Sequence, residues 1–151
     1  MLSKQKEGRI VLAIDAMGGD QAPNAAIEAA NLALEDKSCK DVYFKIFGKK
    51  DKIIPLLKKF PKLINSSELI HAEQVVGNDE IPSSAIRNCK ESSMQMAINA
   101  VKSQDAHAVV SAGNTGALMA MSTITLRTLP QIHRPAIITF LPSEKGRVAV
   151  L

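Results

Sequence analysis

The chain has 151 residues, the length of one ordinary domain with a single core. Its hydrophobic share of 46% and charged share of 23% are those of a globular protein, and no apolar run is long enough to span a bilayer. A net charge of +4 with mostly dispersed basic residues, no tryptophan and one tyrosine argues against nucleic acid, which calls for a dense basic stripe interleaved with aromatics.

Residues 10–14, "IVLAI", read as a buried strand that runs into "DAMGGD" and then a helix over 23–35. Pro23 suits a first-turn position of that helix, Asp20 is the expected N-cap, and Ile27, Ala30 and Leu34 fall on one face. A second strand is expected over 42–47, closed by Gly48. A short helix follows over 51–60, with Ile53, Leu57 and Phe60 stacked and Pro55 tolerable only near its start. Residues 69–72 form a third strand, and residues 76–86, "VGNDEIPSSAI", read as a loop. A helix over 91–102 has Met94, Ile98 and Val101 on its inner stripe. A strand over 106–110 and a largely apolar helix over 115–129 come next, then strands over 135–141 and 148–151. Strands alternating with helices imply βαβ crossovers and a mostly parallel sheet covered on both faces. The chain ends inside an apolar strand with no polar cap after it, which suggests a fold continued elsewhere.

The N-terminus, "MLSKQKEGR", lacks the apolar core of a signal peptide, and residues 1–8 are expected to be flexible. Cys39 and Cys89 lie outside any metal-type spacing and are expected as free thiols in a reducing compartment, so a cytoplasmic protein is expected. His71, His107 and His133 are scattered singly, without the spacing of metal ligands. Lysines 49, 50, 52, 58, 59 and 62 surround the short helix; such a cluster is a solvated face, or one that attracts an acidic partner. Met94, Met96, Met119 and Met121 read as core at helical spacing.

Ligands of open parallel sheets bind beyond the carboxyl ends of strands. Two strand-to-helix loops stand out there: residues 15–20 and residues 111–116, "SAGNTG". In the second, Gly113 and Gly116 allow close backbone approach, and Ser111, Asn114 and Thr115 add short hydrogen-bonding side chains. The helix that follows offers unpaired N–H groups at a positive dipole end, a combination suited to phosphate or another oxyanion. The plainer alternative has the glycines serving tight turns and Asn114 or Thr115 an N-cap. Neither loop matches a Walker or dinucleotide fingerprint. A third element, "IRNCKESSMQMA", places Arg87 and Lys90 before Ser92 and Ser93 at a helix start. These could hold an anion jointly, or amount to an N-cap serine with solvated charges. Carboxylates repel phosphate, so Asp15 and Asp20 are expected to fix the Gly18–Gly19 loop by accepting N–H bonds, to pair with Arg87 or Lys90, or to hold a proton for chemistry.

Taken in order, "AIDAMGGDQAP", "IRNCKESSM", "SAGNTGALMA" and "RPAI" closely resemble phosphate acyltransferases of the PlsX family of phospholipid synthesis. The resemblance runs from about Ile10 to the last residue and is similar to the family's N-terminal part, so residues 9–151 are expected to be that part, with the C-terminal half absent. It implies a Rossmann-like three-layer α/β/α sandwich of the isocitrate/isopropylmalate dehydrogenase type, related to phosphotransacetylases. It also implies transfer of an acyl group from acyl-carrier protein to inorganic phosphate, with no cofactor or metal. Implied too are a homodimer, a cytoplasmic location with peripheral membrane contact, and supply of a membrane glycerol-3-phosphate acyltransferase. Phosphate is the nucleophile in that reaction, so no serine–histidine pair is required, and none is visible. On this reading Asn114, Lys90 and Asp15 are the catalytic candidates. Ser111, Gly113, Thr115, Gly116, Ser92, Ser93, Arg87, Gly18, Gly19 and Asp20 line the phosphate site. Alternatives are an acyl-coenzyme A donor on the same fold, or a non-catalytic remnant that only binds.

Overall fold

In a computed structural model of the chain, residues 8–36, 39, 41–144 and 146–150 are described. The expected flexible segment 1–8 lies outside them apart from Gly8, as does Leu151. Strands β1 (Ile10–Asp15), β2 (Val42–Gly48), β3 (Ser67–His71) and β4 (Ala108–Ser111) form one all-parallel sheet in the order β3-β2-β1-β4. Helix α1 (Asn24–Ala33) joins β1 to β2, and α2 (Lys50–Leu57) with α3 (Pro61–Asn65) joins β2 to β3. Helices α4 (Pro82–Asn88) and α5 (Ser93–Lys102) carry the chain back across to β4, which leads into α6 (Thr115–Leu126).

The layering follows from strand alternation, which sends successive side chains to opposite faces. Ile14, Phe44 and Ile46 pack under Ile27 of α1, Ile53 and Leu57 of α2 and Leu63 of α3. Val11, Ala13, Tyr43 and Phe47 face the other way, onto Ala97 and Ala100 of α5. Beyond them, Met94 and Ile98 of α5 meet Ala85 of α4 and Ala117 and Met121 of α6. Each fully buried Ile or Met contributes about 1.5–3 kcal/mol relative to exposure, so both faces are held independently. The result is the expected α/β sandwich with a parallel sheet.

Several boundaries differ from the sequence reading, each for a local reason. The loop expected over 76–86 contains the start of α4, with Pro82 at its first turn, where a missing N–H costs nothing. Asp20 does not cap α1. Pro23 occupies the cap position, turn residues separate it from Asp20, and the Asp20 carboxylate accepts from Asn78 Nδ2 at 2.6 Å. Pro55 lies inside α2 rather than near its start, and the helix stops at Leu57, leaving half-buried Phe60 to cap α3. Helix α6 ends at Leu126 rather than at 129 because Arg127 takes a left-handed conformation (φ 65°). The last two strands, β5 (Thr139–Ser143) and β6 (Gly146–Val150), do not join the parallel sheet. They pair antiparallel with each other as an exposed hairpin, turning at Gly146 with φ 131°, a conformation side chains disfavour.

The sheet is also not covered on both faces throughout. β4 is an edge strand, and Val110, in register with buried Ile14, is 51% exposed on the α1 side. No helix among the described residues is long and apolar enough to cross a membrane.

Candidate active site

The chain order reverses between β1 and β4. The connection after β1 leads by α1 to β2 on one side, whereas β4 lies on the other side of β1 and leads into α6. Such a switch point opens a crevice at the carboxyl ends of the two strands, because their outgoing loops diverge to opposite faces. Both glycine-bearing loops singled out from the sequence emerge there.

Asp15, the last residue of β1, is paired in register with Ser111, the last residue of β4. Its carboxylate is only 3% exposed and fully engaged. Oδ2 accepts the Ser111 hydroxyl at 2.7 Å; Oδ1 accepts the Ser93 hydroxyl at 2.6 Å and the Met17 N–H at 3.3 Å. Ser111 Oγ in turn accepts the Gly113 N–H at 3.1 Å. One buried carboxylate thus ties the loop after β1, the loop after β4 and the first turn of α5. A buried charge is tolerable only with such a full set of donors. Asp15 does not pair with Arg87 or Lys90. Arg87 is exposed and donates from Nε to Ser83 O at 3.1 Å, and Lys90 is exposed without an ion-pair partner among the described residues.

The glycines bring the two loops against each other. A Cβ on Gly18 would stand 2.6 Å from Asp15 Oδ2, 2.8 Å from Gly113 N and 2.9 Å from Ser111 Oγ. A Cβ on Gly113 would meet Gly18 Cα at 3.1 Å. Gly19 has φ 95° and faces the Ala112 carbonyl. Gly116, in the first turn of α6, abuts the ring of Pro82.

Asn114 caps α6: its Oδ1 accepts the Ala117 N–H at 3.0 Å. Its amide nitrogen points to three carbonyls, Gly77 O at 3.3 Å, Asn78 O at 2.9 Å and Glu80 O at 2.8 Å. The side chain is therefore occupied at both ends, as a cap and as a pin for residues 77–80. Ser92 caps α5, accepting from Gln95 N at 3.2 Å and donating to Cys89 O at 2.7 Å; like Ser93, it is fully buried. Thr115 is exposed in the first turn of α6, where N–H groups lack intrahelical partners. Burial, with the Glu80 carboxylate second, pushes the Cys89 thiol up, which leaves it a poor nucleophile near neutrality.

The structure thus brings together Asp15, Gly18, Gly19, Ser93, Ser111 and Gly113 in one hydrogen-bonded and packed constellation, with Asn114, Thr115 and Gly116 adjoining it in the α6 start. It leaves Arg87 and Lys90 outside that network. The sequence reading missed the 77–80 segment and Pro82, which brace Asn114, Asp20 and Gly116. The Ile81-Pro82-Ser83 step carried the available signal, a proline at a helix start. No group of three or more potential metal ligands occurs among the described residues.

Comparison with known proteins bears on this geometry directly. Residues 10–151 match the family described as "Fatty acid synthesis protein". The chain is 46% identical over 143 residues to a "Phosphate acyltransferase" of Rhodospirillum centenum, covering 95% of this chain and 40% of that relative. It is 49% identical over 146 residues to one from Wolbachia pipientis wMel (94% and 42%), and 48% identical over 143 residues to one from Legionella pneumophila (94% and 41%). The chain spans about two-fifths of the length of these curated relatives. With the quoted motifs inside the matched region, the chain belongs to the fatty acid synthesis protein family of PlsX type, similar over nearly all its length to phosphate acyltransferases.

Proposed function

We propose that this chain provides the phosphate-handling wall of an enzyme that transfers an acyl group from acyl–acyl-carrier protein to inorganic phosphate. The observation that carries the reading is the Asp15–Ser111–Ser93 constellation, which ties two glycine loops together beside the α6 N-terminus at the switch point of the sheet. The relatives' name supports acyl transfer to phosphate; the carrier-protein donor rests on the resemblance of the motifs.

A phosphate oxygen attacks the thioester carbonyl, the new C–O bond forms a tetrahedral oxyanion, and the C–S bond then breaks. The products are acyl phosphate and the carrier thiolate, which takes up a proton. Such a reaction asks the protein for position and for donors rather than for a nucleophile of its own. The free donors of this wall are the Thr115 hydroxyl, the unpaired N–H groups of the first turn of α6 and, on a separate turn, the Lys90 ammonium. Asp15, Asn114, Ser92 and Ser93 act as positioning residues in this reading, because each spends its polar atoms on protein partners. Homodimerisation, a cytoplasmic setting with peripheral membrane contact, and delivery of product to a membrane glycerol-3-phosphate acyltransferase belong to the same proposal and rest on the resemblance alone.

The test is acyl-phosphate formation from acyl–acyl-carrier protein and phosphate, with acyl-coenzyme A as a parallel donor. The chain is assayed alone and together with a separately produced chain covering the unmatched part of a relative. Activity with the carrier-protein donor supports the reading. Activity confined to acyl-coenzyme A moves the protein to the phosphotransacetylase type, and no activity in any combination leaves a binding remnant and defeats the proposal.

A further inference from the structure

The segment between β3 and α5 touches both glycine loops of the site. Val76 and Ala85 are buried in one cluster with Ala117 and Met121, so the segment is rooted on the α6 side. Between these anchors residues 77–79 are exposed and Glu80 is half-buried. The carbonyls of Asn78 and Glu80 accept from the Asn114 amide at 2.9 and 2.8 Å. From there Asn78 reaches across to the loop after β1, donating from Nδ2 to Asp20 Oδ1 at 2.6 Å. Asn78 is thus bonded by its side chain to one loop and by its carbonyl to the residue that caps α6.

The position of this bridge differs from that of the Asp15–Ser111 tie. Asp15 and Ser111 join the two loops before their glycines, at the strand ends. Asp20 follows Gly18 and Gly19, and Asn114 follows Gly113, so the Asn78 bridge joins the loops beyond their glycines. A glycine turn fixes its far side poorly, because glycine tolerates many backbone conformations. A second tie past the turn removes that freedom. What moves Asn114 also moves the first turn of α6, since its Oδ1 holds the Ala117 N–H at 3.0 Å.

We propose that Asp20 and Asn78 form an outer clasp that positions the first turn of α6 for an oxyanion. Asp20 is a positioning residue here: it acts through Asn78 and Asn114 rather than on the anion. This rests on the phosphate reading given above, but the clasp itself is read by amide exchange, without phosphate. The carboxylate makes the proposal sharp, because its two conceivable effects have opposite signs. As a bare charge near an anion site it would weaken phosphate binding, and its removal would tighten it. As one half of a clasp it strengthens binding, and its removal weakens it.

The experiment measures amide hydrogen exchange and the binding of inorganic phosphate, by nuclear magnetic resonance, in the parent chain and four variants. Asp20→Ala and Asn78→Ala, at exposed positions, should each speed exchange of the Ala117 amide about fivefold, the equivalent of one ordinary hydrogen bond. Each should weaken phosphate binding by a similar factor. Asp20→Asn keeps an acceptor for the Asn78 amide and should stay close to the parent in both measurements. The Asp20→Ala/Asn78→Ala double variant should be no worse than either single one, because both remove the same bond. Tighter phosphate binding by Asp20→Ala would overturn the proposal, as would Asp20→Asn as damaging as Asp20→Ala, or fully additive losses in the double variant. Unchanged Ala117 exchange in both alanine variants would overturn it whatever the phosphate affinity. Faster Ala117 exchange in those variants, with a parent that binds no phosphate, would uphold the clasp and defeat the proposed function.

Discussion

Asp15 and Ser111 face each other across two parallel strands that lie side by side only after the chain has travelled 96 residues, and the serine hydroxyl donates to the carboxylate at 2.7 Å. The pair explains why a buried acid sits at the head of a loop proposed to handle an anion. The carboxylate accepts from Ser93, Ser111 and Met17, which makes it a tie between the loops.

Replacing Asp15 with Ala should therefore act first on stability. It strands two hydroxyls, one of them on fully buried Ser93, and each unsatisfied buried donor costs about 1–3 kcal/mol. Thermal unfolding should show a loss of roughly 2–4 kcal/mol, and for a domain of this size each kcal/mol corresponds to about 2–4 °C. Asp15→Asn keeps an acceptor and should recover part of the loss. A midpoint for Asp15→Ala equal to the parent's would contradict the hub role.

Gly18→Ala and Gly116→Ala should behave oppositely. The added methyl on Gly18 meets a carboxylate oxygen and a backbone nitrogen, each closer than 3.0 Å, so the two loops must part. Overpacking of this kind costs about 1–3 kcal/mol, to be read in urea unfolding. On Gly116 the nearest atom is a proline ring carbon at 3.2 Å, and alanine's better helix propensity of about 1 kcal/mol offsets the contact. Equal effects of the two substitutions would show that the loops are not in direct contact.

Asn114 and Thr115, adjacent in sequence, separate positioning from binding. Asn114→Ala removes a helix cap worth about 0.5–2 kcal/mol and frees residues 77–80, whose amide exchange should accelerate. Thr115→Val and Lys90→Ala, at exposed positions, should leave stability within about 0.5 kcal/mol of the parent. In an active preparation they should raise the apparent phosphate KM, by about tenfold for the loss of one donor worth about 1.4 kcal/mol. Unchanged phosphate saturation in both would remove them from the binding wall.

Cys89 gives a prediction in pH. Burial, and then the Glu80 charge, disfavours the thiolate, so at a given alkaline pH the folded protein holds less thiolate than the unfolded chain. In a Cys39→Ala background, alkylation of Cys89 at pH 8 should be slower folded than in urea, with the folded rate profile displaced to higher pH. By linkage, the raised native pKa makes stability fall as pH climbs past the thiol's unfolded value. Faster alkylation of the folded protein would reverse the assignment.

Much of this could be read along the chain. The alternation of apolar strands with helical stripes fixed the parallel α/β class, and Ile27, Ile53, Met94 and Ile98 are buried where their spacing placed them. The glycine loops and the helix starts at Ser92 and Asn114 were visible because capping and turn chemistry are local. The short helix α4 was obscured by a polar composition that reads as loop, although Pro82 marked its start.

Pairings between distant residues were not legible. Periodicity says that Asp15 ends a strand and Ser111 ends another, but only the strand order β3-β2-β1-β4 makes them neighbours and turns the carboxylate away from Arg87 and Lys90. Likewise, the composition of "SAGNTG" admitted Asn114 as a ligand or a cap. The structure shows the side chain as a cap that also bonds the returning residues 77–80, a partner more than thirty residues away that the local composition does not reveal. Residues 135–141 and 148–151 read as strands of the sheet, yet Thr139–Ser143 and Gly146–Val150 pair with each other as an exposed hairpin. Hydrophobicity along a chain sets which segments favour burial, whereas what they are buried against is a property of the assembled fold.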